Sequence, residues 1–154
     1  MGRALALGRS MDRFAADLEA RDRDPGEQWQ YVSIDTHVIG MVIRGATGRS
    51  IPDLLSERVI APLGLEREPY YITDGEGVAF VLGGLNLTTR DYARLGLMFL
   101  QPGQFMARGI YGQYVYVDQV NGVVIAANAA DRQFREPGVN EENIRIFRLI
   151  AESL

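Results

Sequence analysis

The only histidine of the chain, His37, follows Ser33 by four residues, with Asp35 between them. Serine, histidine and aspartate are the parts of a nucleophile–base–orienter relay. On a helix Ser33 and His37 share a face, but Asp35 lies about 160–200° around the axis from both. A relay also needs its nucleophile on an exposed, strained turn with oxyanion donors aimed at the substrate. The trio therefore reads as a helix start followed by a surface or half-buried histidine. Metal chemistry finds no better footing. One histidine and no cysteine leave only carboxylates, and Asp22/Asp24 and Glu141/Glu142 fit solvated faces or helix-start charges. Gly45-Ala46-Thr47-Gly48-Arg49-Ser50 resembles a phosphate loop in flavour only. Its spacing is wrong, it has no lysine, and a helix rather than a strand precedes it. No metal and no cofactor is expected.

Composition narrows the field further. The 154 residues amount to one domain, and 47% hydrophobic with 23% charged residues is enough for a packed core. A net charge of −4 has the wrong sign for nucleic-acid binding. No apolar run approaches the roughly 18–20 residues of a membrane span. All 16 basic residues are arginine, so a lysine base or Schiff base within this chain is excluded. The stretch Ala4-Leu5-Ala6-Leu7-Gly8 is too short for the apolar region of a secretion signal, and the compartment is not legible.

The elements that must carry any site follow from periodicity. Leu5, Met11, Phe14, Ala15 and Leu18 predict an amphipathic helix from Met1 to about Ala20, interrupted or capped near Gly8 and Ser10. Arg21 to Gly26 ends it. A second helix is expected from Ser33, as its cap, to Thr47 with Gly48 beyond its end. Ser50 caps a third, with Asp53 at its third position, ending near Ala61-Pro62. Thr88 or Thr89 caps a fourth, running through Phe99 to a stop at Pro102-Gly103. The period then changes to two. Tyr114–Asp118 and Val123–Ala127 are expected as strands joined by a two-residue turn at Asn121-Gly122. Asn140 caps a last helix with the stripe Ile144, Phe147, Ile150 and Leu154. Helices, then a hairpin, then a helix predict an α+β fold. Two strands are marginal in water, so the sheet looks incomplete.

The most informative stretch is Pro25-Gly26-Glu27-Gln28-Trp29-Gln30-Tyr31-Val32-Ser33. Pro-Gly-x-x-aromatic-x-Tyr-x-Ser/Asn, then a helix, then Ala-Thr-Gly-Arg-Ser resembles the second active-site motif of the serine β-lactamase and penicillin-recognising superfamily. The likeness is to its class C-like esterase and nylon-oligomer (6-aminohexanoate-dimer) hydrolase branch. It continues through Ile60-Ala61-Pro62-Leu63-Gly64-Leu65, through Gly83 to Gly96, and through Ala107 to Asp118, covering residues 25–128 in the family's order. The resemblance implies a partial β-lactamase-like fold. It gives Tyr31 the role of a proton-shuttling phenol and Ser33 the third position of Tyr-x-Ser/Asn. Ala107-Arg108-Gly109 would replace Lys-Thr-Gly, making the Ile110 N–H an oxyanion donor, with Gly109, Tyr111 and Gly112 facing the substrate. That chemistry is physically coherent. A phenol titrating near pH 10 serves as a base when a nearby cation lowers its pKa, and a backbone N–H needs no reorganisation as an oxyanion forms.

The departures matter equally. Ser-x-x-Lys, which supplies the family's nucleophile, is absent because lysine is absent. Ser10-Met11-Asp12-Arg13 puts an always-charged guanidinium where a proton acceptor is needed. Other readings of the retained residues stay open: Tyr31 as a packed aromatic, Ser33 as a plain cap, Gly109 and Gly112 as a strand bulge, the tyrosines at 111, 114 and 116 as one strand face. The expected organisation is a single, incomplete domain over 1–154. It comprises an N-terminal helix and charged linker at 1–24, a helical region with the Tyr-x-Ser motif at 25–100, and a hairpin with a C-terminal helix at 105–154. Three functional readings compete: a serine-hydrolase fragment acting on a small amide, ester or lactam, a non-catalytic binding or interaction module, and a remnant without function. A complementing N-terminal half or self-association is the expected partner, with no nucleic acid and no membrane.

Overall fold

The computed structural model describes residues 2–20, 23, 24, 26–100 and 104–154. The expected breakers at Arg21, Asp22 and Pro25, and the stop at Pro102-Gly103, lie outside the described residues. The chain divides into two compact units, Met1–Gly64 with Glu68–Asn86, and Leu65–Arg67 with Leu87–Leu154.

In the first unit the N-terminal periodicity resolves into two short helices, α1 (Gly2–Ala6) and α2 (Met11–Ala16), parted at Gly8. The Ser10 hydroxyl caps α2 by accepting the Arg13 N–H at 3.3 Å. Helix α3 (Ser33–Thr47) has the expected bounds and stops where Gly48 turns left-handed. Its cap differs from expectation. Val32 holds the N-cap position and makes no side-chain cap bond, while Ser33 is already the first helical residue. Ser50 caps α4 (Ile51–Leu55) through the Asp53 N–H. The helical path then runs through a π turn, Ser56–Ile60, into α5 (Ala61–Leu63), ending at left-handed Gly64. A two-residue antiparallel pair, β1 (Tyr70–Tyr71) with β2 (Leu85–Asn86), completes the unit. Its core joins Ala4, Met11 and Ile34 with Leu5, Phe14, Phe80 and Leu82. Buried Asp74 accepts the Met11, Glu76 and Val78 N–H groups at 2.8–2.9 Å, fixing the loop to the start of α2.

The second unit is built on a sheet with one strand more than the sequence pattern announces. Strands β3 (Gln104–Arg108), β4 (Tyr114–Asp118) and β5 (Val123–Ala127) lie antiparallel in that order. Phe105 pairs with Val117, and Tyr116 with Ile125. Of its five residues only Phe105 strongly favours a strand, so β3 owes its conformation mainly to pairing with β4. The hairpin turn is also not the two-residue type. Asp118 pairs with Val123, leaving a four-residue loop in which the Asp118 carboxylate accepts the Val120 and Asn121 N–H groups at 3.0 Å. A two-residue type I′ turn needs positive φ at both positions, and here only Gly122 has it.

Helix α6 (Thr89–Leu97), capped by Thr88 through the Asp91 N–H, packs on this sheet. A Cβ on Gly96 would lie 2.5 Å from a Val124 methyl and 2.9 Å from a Val115 methyl, so the helix can approach only with glycine there. Helix α7 (Val139–Ser153) starts after Gly138, not at Asn140. The Asn140 side-chain oxygen instead accepts the Tyr114 hydroxyl at 3.2 Å. Of the expected stripe, Phe147 is buried with Ala151 against Tyr114 and Tyr116, whereas Ile150 and Leu154 are exposed. Ile150 sits about 60° off the Phe147 line, and Leu154 follows the last helical residue. The tyrosines thus divide: Tyr114 and Tyr116 face the core, and Tyr111 stands outside the strand.

Two stability outcomes follow. Phe147→Ala should cost about 3–5 kcal/mol in urea unfolding, the range for emptying a buried phenyl site. The Asn121 backbone N–H, with its side-chain amide, holds the Asp118 carboxyl below its ordinary value. Its contribution is therefore present above the unfolded-state carboxylate pKa and is lost as pH falls through the folded value. In unfolding midpoints measured from pH 7 downward, Asp118→Asn should flatten that acid limb.

Candidate active site

Tyr31 and Ser33 belong to the first unit, and Gly109, Ile110, Tyr111 and Gly112 to the second. Tyr31 stands on the extended segment entering α3 and is 71% exposed, with Trp29 at 83%. Within this chain Tyr31 is thus not packed as a buried aromatic. Ser33, half-buried, opens α3 two residues later.

The residues from Gly109 to Gly112 form one turn rather than a strand bulge. Gly109 is extended and its N–H donates to the Gln113 carbonyl at 2.8 Å, closing the β3–β4 connection. Ile110–Gly112 make a single 3₁₀ turn in which Tyr111 has φ 59° and ψ 25°. Tyr111 is the only non-glycine with positive φ among the described residues. Such conformations concentrate at functional sites because surrounding contacts must impose them. Ile110 is 60% exposed, and the turn follows the end of edge strand β3.

Two polar clusters were not legible in the sequence. His37 is neither at the surface nor half-buried: it is 1% exposed, and its Nε2 lies 2.8 Å from Asp12 Oδ1. Arg44 Nη2 donates to both Asp12 oxygens, at 2.7 and 2.9 Å. Burial raises the Asp12 pKa, but the Arg44 and His37 hydrogen bonds outweigh it and the carboxyl lies below its ordinary value. The spacing of His37 and Arg44, two turns apart on one helix face, was the available signal; Asp12 lies 25 residues before His37 and nothing local points to it. In the second unit, buried Asp91 accepts the Glu66 N–H, the Thr88 hydroxyl and Arg94, and Arg90 and Arg94 both reach Glu66. Both clusters hold elements together, and within the first, His37 Nδ1 is buried without a hydrogen-bond partner. No set of three or more His, Asp or Glu among the described residues is arranged to hold a metal ion.

Tyr31 is thus a largely exposed residue of the first unit, and Gly109–Gly112 a turn of the second that holds a positive-φ tyrosine. The β-lactamase family profile matches residues 3–98, more than half of the chain. The chain belongs to the β-lactamase family. Over 107 residues it is 31% identical to the 6-aminohexanoate-dimer hydrolase of Paenarthrobacter ureafaciens, a stretch covering 60% of this chain and 27% of that protein. The fold is that of a putative 6-aminohexanoate-dimer hydrolase from Bacillus anthracis, with a TM-score of 0.85 at 21% identity over 94% of this chain. This chain thus spans 48% of that family structure and a smaller share of the curated relative. The α+β architecture expected from the sequence, with its C-terminal hairpin and helix, is the family's.

The His37 cluster gives its own test. Asp12→Ala leaves the buried imidazole and the Arg44 guanidinium without their shared acceptor. Unfolding by urea at pH 7 should show a loss of about 1–3 kcal/mol, the usual cost of stranding a buried polar partner.

Proposed function

We propose that this chain is the part of a β-lactamase-like serine hydrolase that carries the Tyr-x-Ser motif and the edge-strand oxyanion donor, for amide or ester hydrolysis. The observation that carries the reading is the accessible Tyr31 phenol in a Pro-Gly-x-x-Trp-x-Tyr-x-Ser context, within a chain of this family.

In the complete enzyme a serine of a Ser-x-x-Lys segment attacks the carbonyl carbon. Tyr31, as phenolate, takes the serine proton and delivers it to the leaving nitrogen or oxygen as the C–N or C–O bond breaks. The Ile110 N–H donates to the carbonyl oxygen as it becomes an oxyanion. Water then enters by the same relay and releases the acid and the serine. Ser33 sits beside the phenol on the same motif, and Gly109, Tyr111 and Gly112 form the substrate-facing turn. No lysine is available here, so the isolated chain lacks the nucleophile pair.

Further polypeptide is the expected partner of this fragment. On α3, Val38, Ile39, Val42 and Ile43 are exposed opposite the face bearing Ile34 and His37. A helix apolar on all sides is the pattern of a helix covered on all sides. A complementing N-terminal half fits that face, and self-association is the alternative outcome.

A second reading, a ligand-binding module without catalysis, is favoured by the exposure of Trp29 two residues before Tyr31. It predicts a saturable change in Trp29 fluorescence with a β-lactam or a short amide oligomer.

Two measurements decide between these. A fluorophosphonate probe, read by intact mass, should leave the folded 154-residue chain unlabelled; a stoichiometric adduct on Ser10 or Ser33 overturns the fragment reading. With an N-terminal half carrying Ser-x-x-Lys supplied in trans, ester turnover should appear. Tyr31→Phe should lower that turnover by about 10²–10⁴-fold, the range for losing a proton relay. A folded complex with no turnover counts against the hydrolase reading.

A further inference from the structure

The strained turn that presents Ile110 is held from outside by a second segment of the same unit. Four interactions join residues 108–113 to residues 129–134. The Asp131 N–H donates to the Tyr111 carbonyl at 3.0 Å. Arg108 Nη2 donates to the Phe134 carbonyl at 3.3 Å. The Gln113 side-chain amide donates to the Ala129 carbonyl. The Tyr111 ring meets the Phe134 ring edge-on, with centroids 5.1 Å apart.

The second segment has its own supports. Asp131 Oδ1 accepts the Gln133 N–H at 2.8 Å, closing a turn, and the Arg135 guanidinium lies 5.1 Å from the centre of the Phe134 ring. Glycine at position 111 would adopt positive φ freely, but tyrosine does so only under constraint. The constraint visible here is the Asp131 hydrogen bond on its carbonyl and the Phe134 ring on its side chain. Rotating Tyr111 back to negative φ would break both contacts and swing the preceding residue, Ile110 with its N–H, relative to Gly112.

We propose that Phe134 is a positioning residue for the Ile110 oxyanion donor, acting through Tyr111. It rests on the reading of Ile110 given above. The Phe134 ring keeps Tyr111 in the left-handed conformation, and that conformation fixes the turn on which the Ile110 N–H is displayed. Phe134 itself does not reach the reacting atoms.

The test needs no turnover. In the isotopically labelled 154-residue chain, the Tyr111 Cα, Cβ and Hα shifts should report a left-handed residue. Phe134→Ala should remove that signature. It should also change the residual dipolar couplings of the Ile110 and Tyr111 N–H vectors, which read the orientation of those amides directly. The α7 amides should stay unchanged. Phe134→Tyr, which keeps the ring edge, should restore the native values. In a Tyr111→Gly background, where positive φ needs no clamp, Phe134→Ala should have no further effect on Ile110. Should Phe134→Ala unfold the chain, Phe134→Leu keeps the bulk, loses the ring and reads the same effect.

Native Tyr111 shifts without left-handed character overturn the proposal. So does an unchanged Ile110 after ring removal, or an equal effect in the Tyr111→Gly background. Any of these removes the clamp and leaves the hydrolase reading standing. A working clamp with no ester turnover in the complemented assembly removes only the latter.

Discussion

Buried carboxylates that accept backbone N–H groups set the frame of both units. Asp74 takes the amides of Met11, Glu76 and Val78. Asp91 takes the amide of Glu66 and the hydroxyl of Thr88, and Asp118 takes those of Val120 and Asn121. Each serves a connection that leaves regular structure, where amides have no ladder or helix partner and burial without one costs free energy. The apolar clusters around them are small: Ala4, Met11 and Ile34 in one unit, Tyr114, Tyr116, Phe147 and Ala151 in the other. With cores of that size, the loops are positioned by polar anchoring as much as by packing.

The Tyr31 segment and the Gly109–Gly112 turn depend on this frame at one remove. Asp74 fixes the start of α2, and Asp12 on α2 binds His37 and Arg44 of α3. The Tyr31 segment leads directly into α3, so the phenol's approach is set by how that helix is seated. In the other unit Asp118 closes the β4–β5 loop, and β4 in turn holds β3 in register up to the Arg108–Tyr114 pair. The Gly109–Gly112 turn hangs from that last pair. Regular elements thus hold both the Tyr31 segment and the Gly109–Gly112 turn, each within its own unit.

The chain spans 48% of the solved structure it resembles, at a TM-score of 0.85. One side of α3 is exposed and apolar, with Val38, Ile39, Val42 and Ile43. The helix holds its shape here because Ile34, His37 and Gly40 are buried on the other side.

What the sequence alone determined was local or periodic. The caps at Ser10, Ser50 and Thr88, the stop at Gly48, the strands at Tyr114–Asp118 and Val123–Ala127, and the Tyr31 motif are each written within a few residues, because a cap or an alternation is a short-range rule. Tertiary structure decided the rest. Strand β3 exists mainly through its ladder with β4, since of its five residues only Phe105 strongly favours extension by itself. Val32 rather than Ser33 caps α3, and Gly138 rather than Asn140 precedes α7, because the Asn140 side chain was taken by the Tyr114 hydroxyl. His37 is buried because Asp12, 25 residues earlier, offers it a partner. Tyr111 adopts a glycine-like conformation only because residues 131 and 134 grip it from a distant stretch of chain. Each of these outcomes is a choice between competing partners. Sequence fixes which partners are available, but the folded chain decides which of them come within reach.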